Sequence, residues 1–130
     1  MRKKAVLFAI FGILLVGIAS WTLFADNTIQ RGEVRLGRGY VVGGVQLKEG
    51  PYLVIHDESQ MATGEACTFF YRMPYHPGQE AAAKVHCTPI EGARVDGLTL
   101  RSTGQRDGTS VVKSLQFAGS TEVHTDPTGS

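Results

Sequence analysis

The chain has 130 residues, a formal net charge of +1, 42% hydrophobic residues, 16 glycines and two cysteines. That charge combines two unlike parts: residues 1–25 carry three basic and no acidic residues, and the rest carry 10 basic and 12 acidic ones. A slightly acidic domain offers no positive surface for a phosphate backbone, so nucleic acid is excluded as an expected partner.

The first element is an apolar helix. Arg2-Lys3-Lys4 precedes an apolar run from Ala5 to Ala25, a pattern typical of a cleaved signal peptide or of an uncleaved membrane anchor. We therefore assign residues 1–25 to export. Both alternatives keep the N-terminus in the cytoplasm and place the domain in the periplasm or another extracytoplasmic space, anchored or released. The membrane is a partner if the segment is uncleaved.

The remaining chain predicts an all-β domain. Residues 26–32 form a polar linker, residues 33–119 the β domain, and residues 120–130 a polar tail. Within the domain, alternating apolar residues separated by Gly, Pro, Asn or Asp predict about six strands in a small antiparallel sandwich or barrel. The first predicted hairpin pairs Tyr40–Leu47 with Tyr52–Asp57.

A second predicted hairpin pairs Glu65–Arg72 with Ala83–Ile90. A register that places Cys67 opposite Cys87 gathers apolar residues on one face, so the pattern predicts a disulfide. An exported domain meets oxidants, and a loop of this length would stabilise it by about 3 kcal/mol. Buried free thiols, or a metal-binding or catalytic thiol, are the alternatives.

The sequence contains no coherent catalytic set, so we expect a non-enzymatic protein. His86 adjoins Cys87, but neighbours in a strand point to opposite faces, and the histidine is poorly placed to activate the thiol.

A copper or zinc site is the alternative. His56, Met61 and His86, with the cysteines if these are free, supply suitable ligand types. Their spacing matches no compact metal motif, so no metal or other cofactor is favoured. Glu122, His124 and Asp126 would share one side of an extended segment, but their place in the tail predicts a solvated stretch.

Tyr71, Tyr75 and His76 lie in or beside the loop of the second hairpin. Such a composition suits a contact surface for an envelope protein or another ligand. A loop that packs its own aromatic rings is the alternative.

The stretch Leu47–Asp57 resembles a hairpin of small exported bacterial proteins of unknown function, in which a Gly-x-Tyr turn leads into a strand ending in His-Asp. Met61-Ala62-x-Gly64-Glu65-x-Cys67, His86-Cys87 and the segment from Phe117 to Glu122 are also similar. The resemblance implies an envelope location and no activity.

These observations favour an exported, non-enzymatic binding or structural module stabilised by one disulfide. The alternative is an extracytoplasmic copper- or zinc-binding protein with His, Met or Cys ligands.

Overall fold

The computed structural model of the protein describes residues 29–126. The predicted export segment, residues 1–25, lies outside the described residues. Within residues 29–126, no helix has the length and apolar character needed to cross a membrane.

The described chain is almost entirely β-structure, which confirms the all-β prediction, although its strands are shorter and more numerous than the six expected. In chain order, the elements are β1 Ile29–Leu36, β2 Tyr40–Val42, β3 Val45–Gln46, β4 Gly50–Asp57, α1 Glu58–Ala62, β5 Thr68–Arg72, β6 Ala83–Val85, β7 Thr88–Glu91, β8 Thr99–Gly104, β9 Ser110–Gln116 and β10 Glu122–Thr125.

The strands form two sheets. The first is antiparallel, in the order β1-β4-β5-β6, and the second has the order β3-β2-β9-β10-β7, with β8 also paired to β9. The pairing of β2 with β9 is parallel, and the other pairings are antiparallel. Both sheets contribute to one hydrophobic core, which includes Tyr52, Val54 and Phe70 from the first and Val112 and Leu115 from the second.

The first predicted hairpin is wrong. Tyr40–Leu47 does not pair with Tyr52–Asp57, because the chain already reverses between β2 and β3 at Gly43 and Gly44. Both glycines have positive φ, 57° and 80°, as a two-residue type I′ turn requires. A Cβ atom at Gly43 would also collide with the carbonyl oxygen of Lys84. β4 pairs instead with β1 and β5.

Two predicted boundaries are corrected. β1 begins at Ile29, inside the predicted linker, and this residue pairs with Asp57 at the end of β4. The predicted polar tail contains β10, which pairs with both β9 and β7. Val123 and His124 of this strand are buried. The backbone of β10 hydrogen-bonds to a strand on each side, and its two central residues face the core. The segment is therefore a strand despite its polar composition.

The second hairpin exists only in part: Ala83–Val85 pairs with β5, whereas Thr88–Ile90 belongs to β7 and pairs with β10 in the second sheet. Its register also differs by one residue from the prediction. Thr68 lies opposite Val85 and Phe70 opposite Ala83, so the face that carries Thr68 and Phe70 is the buried one. The predicted disulfide is nevertheless confirmed: Cys67 and Cys87 are bonded just beyond the paired residues.

Candidate metal centre

Two buried histidines from opposite sheets meet inside the domain. His56, from β4, is 0% exposed and His124, from β10, is 1% exposed. Their ring centroids are 3.9 Å apart, and the planes are inclined by 35°. Phe117 lies about equally far from both rings, with centroid distances of 6.0 Å and 6.2 Å. The two imidazoles are therefore polar groups buried between the two sheets.

Strand alternation and a short helix position the first histidine. Tyr52, Val54 and His56 point inward from alternate positions of β4. At the end of the strand, Asp57 caps α1 by accepting a hydrogen bond from the backbone N–H of Ser59. The chain turns there, so Glu58 comes back toward the imidazole.

Both nitrogens of His56 have partners. Nε2 lies 2.7 Å from Oε2 of Glu58, and Nδ1 lies 2.9 Å from the hydroxyl oxygen of Thr68. The glutamate side chain is 41% exposed. A carboxylate therefore approaches the ring from the solvent side, and a hydroxyl approaches it from the interior.

His124 lacks such partners. Neither of its ring nitrogens has a hydrogen-bond partner among the described residues, and Oε1 of Glu122 has none either. Its Nδ1 is 3.6 Å from that oxygen, too far for a hydrogen bond. Leaving a buried polar atom unpaired costs about 1–3 kcal/mol. The three atoms, two on His124 and one on Glu122, lie close to one another.

The electrostatics keep both imidazoles neutral. Burial lowers the pKa of His56, against the opposing influence of Glu122 and Asp57. Burial and then the neighbouring His56 lower the pKa of His124 to about 4. A neutral imidazole has the lone pair that a metal ion requires.

The two carboxyl groups repel one another. The pKa of Glu122 is raised, first by burial and then by the charge of Glu58. A raised carboxyl pKa shows that the ionised pair is disfavoured where it stands. A bound cation would reverse this effect.

These four side chains lie close together. One ligand atom from each of His56, Glu58, Glu122 and His124 lies within 4.8 Å of the others. Two imidazole nitrogens and two carboxylate oxygens form a four-ligand set that suits zinc or copper. A second group combines the two histidines with Cys87.

The two predicted histidine ligands differ in their surroundings. His56 belongs to the converging groups found in the described part of the chain, whereas His86 does not and has an exposed side chain. Met61 lies half-buried in α1, and its role as a ligand stays a prediction.

Sequence reasoning missed Glu58, Glu122 and His124. The alternation of Glu122 and His124 was visible, but the segment was assigned to a solvated tail. Val123 was the signal for a strand, since a lone aliphatic residue in a polar stretch is buried here. Glu58 gave no signal, because its approach to His56 depends on the turn into α1.

The aromatic residues beside the long loop contact one another. The rings of Tyr71 and Tyr75 meet edge to face, with centroids 4.9 Å apart, and His76 is exposed. Burial raises the pKa of Tyr71. The loop thus packs its own aromatic rings, and a role in binding a partner stays a prediction.

No protein-family model, curated protein or solved structure matches this chain. The resemblance to small exported proteins therefore stays a prediction, and the site is the basis for a function.

Proposed function

We propose that this protein binds one zinc or copper ion between the two sheets of an extracytoplasmic β domain. The ligands are His56, Glu58, Glu122 and His124. The observation that carries the proposal is His124, a buried imidazole without a hydrogen-bond partner among the described residues that lies against a similarly unpaired oxygen of Glu122.

A purely structural role explains this arrangement less well. A buried histidine that only fills the core is normally hydrogen-bonded, as His56 is. Here, the second histidine has no hydrogen-bond partner within residues 29–126, and beside it the ionised form of Glu122 is disfavoured by burial and by the charge of Glu58. A divalent cation would satisfy the nitrogen and oxygen lone pairs and would neutralise both carboxylates.

The ligand chemistry selects the class of metal. Calcium and magnesium prefer six or more oxygen ligands, whereas imidazole favours zinc and copper. Four protein ligands fill the tetrahedral shell of zinc and leave no position for a reacting water, which favours binding over catalysis. Copper binds more tightly than zinc to most nitrogen and oxygen sites. The test therefore includes both ions.

The proposed location rests on two features. The basic start and apolar run of residues 1–25 favour export, and the Cys67–Cys87 disulfide fits an oxidising compartment. The proposal adopts the alternative prediction, a zinc- or copper-binding protein, with the disulfide retained, and it takes Glu58, Glu122 and His124 in place of His86 as ligands beside His56.

Calorimetric titration tests the proposal. Zinc and copper are added separately to the metal-free, full-length chain in a neutral detergent, and one ion per chain is expected. His124→Ala should lower the affinity by at least about 100-fold. Loss of a residue that only hydrogen-bonds to a metal ligand already lowers metal affinity about 10- to 100-fold, and loss of the ligand itself should cost more. The exposed His86→Ala is the matched control and should bind normally. Absence of stoichiometric binding, or equal losses in both variants, would refute the proposal.

A further inference from the structure

We infer that an alternative metal position, filled in place of the carboxylate position, lies on the sulfur side of the histidine pair, formed by Cys87, His56 and His124, and that the Cys67–Cys87 disulfide closes it. Reduction of the disulfide opens this position. The inference uses the histidines of the proposed function but none of its carboxylates.

The two nitrogens of His56 face different neighbours. Nε2 faces Glu58, whereas Nδ1 lies 2.9 Å from the hydroxyl of Thr68. That hydroxyl oxygen is only 3.2 Å from Sγ of Cys87. The ring therefore presents Nε2 to Glu58 and Nδ1 to the Thr68 hydroxyl, which lies beside the sulfur of Cys87.

In the described part of the chain, His124 also has a second nitrogen without a hydrogen-bond partner. Its Nδ1 lies 3.6 Å from Oε1 of Glu122, and its Nε2 is unpaired within residues 29–126. One ligand atom from each of His56, Cys87 and His124 lies within 4.8 Å of the others. Small side-chain movements would bring these three atoms around a single ion.

Only one of the two cysteines is placed for this role. Cys87 is partly buried and belongs to the converging group. Cys67 is 0% exposed and lies outside the converging group, although both sulfurs lie near the carbonyl oxygen of Val85, at 3.5 Å for Cys67 and 3.7 Å for Cys87. After reduction, Cys87 is the sulfur available to a metal, and Cys67 remains a buried thiol.

The opening step is a two-electron reduction. A dithiol, on a protein or a small molecule, transfers two electrons and two protons, so the S–S bond breaks, two thiols form and the dithiol becomes a disulfide. A metal ion then displaces the proton of Cys87 into solvent. A thiolate is a much stronger ligand for soft and borderline ions than a disulfide sulfur. The redox state of the Cys67–Cys87 pair thus decides whether Cys87 can act as a metal ligand.

Cobalt(II) tests this inference, because a cobalt–thiolate bond produces a charge-transfer absorption in the near ultraviolet. Cobalt is titrated anaerobically into four samples of the full-length chain: oxidised wild type, wild type reduced by a phosphine, Cys67→Ser and Cys87→Ser. The phosphine takes its oxygen from water and becomes a phosphine oxide as the two thiols form.

The two serine variants are matched, since both lack the disulfide and each keeps one thiol. We expect the absorption, saturating at one cobalt per chain, in reduced wild type and in Cys67→Ser. Oxidised wild type and Cys87→Ser should not show it. Equal absorption in both variants, or none in reduced wild type, would overturn the inference.

A further comparison is used if the serine variants do not fold. If circular dichroism shows that the serine variants unfold, reduced wild type is compared with reduced His124→Ala, and the inference requires that the absorption disappear only in the latter. The outcome is also separable from that of the proposed function. Zinc binding by the oxidised chain tests the carboxylate site, and cobalt–sulfur absorption tests the sulfur site.

Discussion

His56 and His124 belong to different sheets, and their rings are in contact, with centroids 3.9 Å apart and planes inclined by 35°. β4 and β10 are separated by most of the domain sequence, so this contact forms only when the two sheets close on one another. The pair stands where Glu58, Glu122 and the disulfide also meet. The metal-binding account therefore depends on the packing of the whole domain rather than on a local motif.

Glu122→Gln should separate metal binding from stability. The substitution removes a charged ligand, so zinc affinity should fall by at least about 10-fold. It also removes the repulsion from Glu58, so the Tm of the metal-free protein should stay the same or rise. Calorimetry and thermal unfolding measure the two effects. The exposed Glu33→Gln on β1 is the control, and equal losses of affinity in both variants would contradict the assignment of Glu122 as a ligand.

The metal-free protein should lose stability in mild acid. The folded-state pKa values of His56 and His124 are lowered, so the unfolded chain takes up protons first as the pH falls. Their contribution to stability is complete well above pH 6.5 and decreases as the pH falls below it, for His124 down to about pH 4. The raised pKa of Glu122 acts with the opposite sign as the pH rises through 4.5.

His124→Gln isolates the contribution of that histidine to this pH dependence. The Tm should fall less between pH 7 and pH 5 in this variant than in wild type, with a chelator present in both. An equal fall would show that His124 is not held neutral by the fold.

Two adjacent phenylalanines test the corrected register of β5. Phe70 is 0% exposed in the core, whereas Phe69 is half-buried on the other face. Phe70→Ala should lower the free energy of unfolding by about 3–5 kcal/mol, and Phe69→Ala should lower it by much less. Denaturant unfolding measures both. A larger loss for Phe69→Ala would support the register that places that residue inward.

Replacement of both cysteines by alanine should destabilise the domain without changing its fold. The bond closes a loop with a sequence separation of 20, so the loss should be about 3 kcal/mol in the chain-entropy description. Denaturant unfolding of the metal-free variant and wild type measures it. A loss below about 1 kcal/mol would contradict a stabilising role for the disulfide.

Local patterns predicted part of this structure. Alternation and turn residues indicated an all-β fold, and Cys67 and Cys87 were paired correctly although the register was displaced by one residue. That error arose because Thr68 faces inward, where its hydroxyl hydrogen-bonds to His56. A register chosen to bury only hydrophobic residues turns this threonine outward.

Long-range pairing was not accessible from the sequence. The sequence offers two possible turns, at Gly43–Gly44 and at Lys48–Pro51, and the predicted hairpin used the second. In the structure the chain reverses at the two glycines. The predicted tail became β10 only because β9 and β7 lie on either side of it. His124 therefore entered the site through tertiary packing, which no short sequence window contains.

X-ray absorption spectroscopy of the zinc-loaded, oxidised full-length chain tests the central claim most directly. The account predicts one tightly bound zinc per chain with two imidazole nitrogens and two carboxylate oxygens at about 2.0–2.2 Å, and no sulfur ligand. A protein that retains no zinc, or a zinc shell without imidazole, would contradict it.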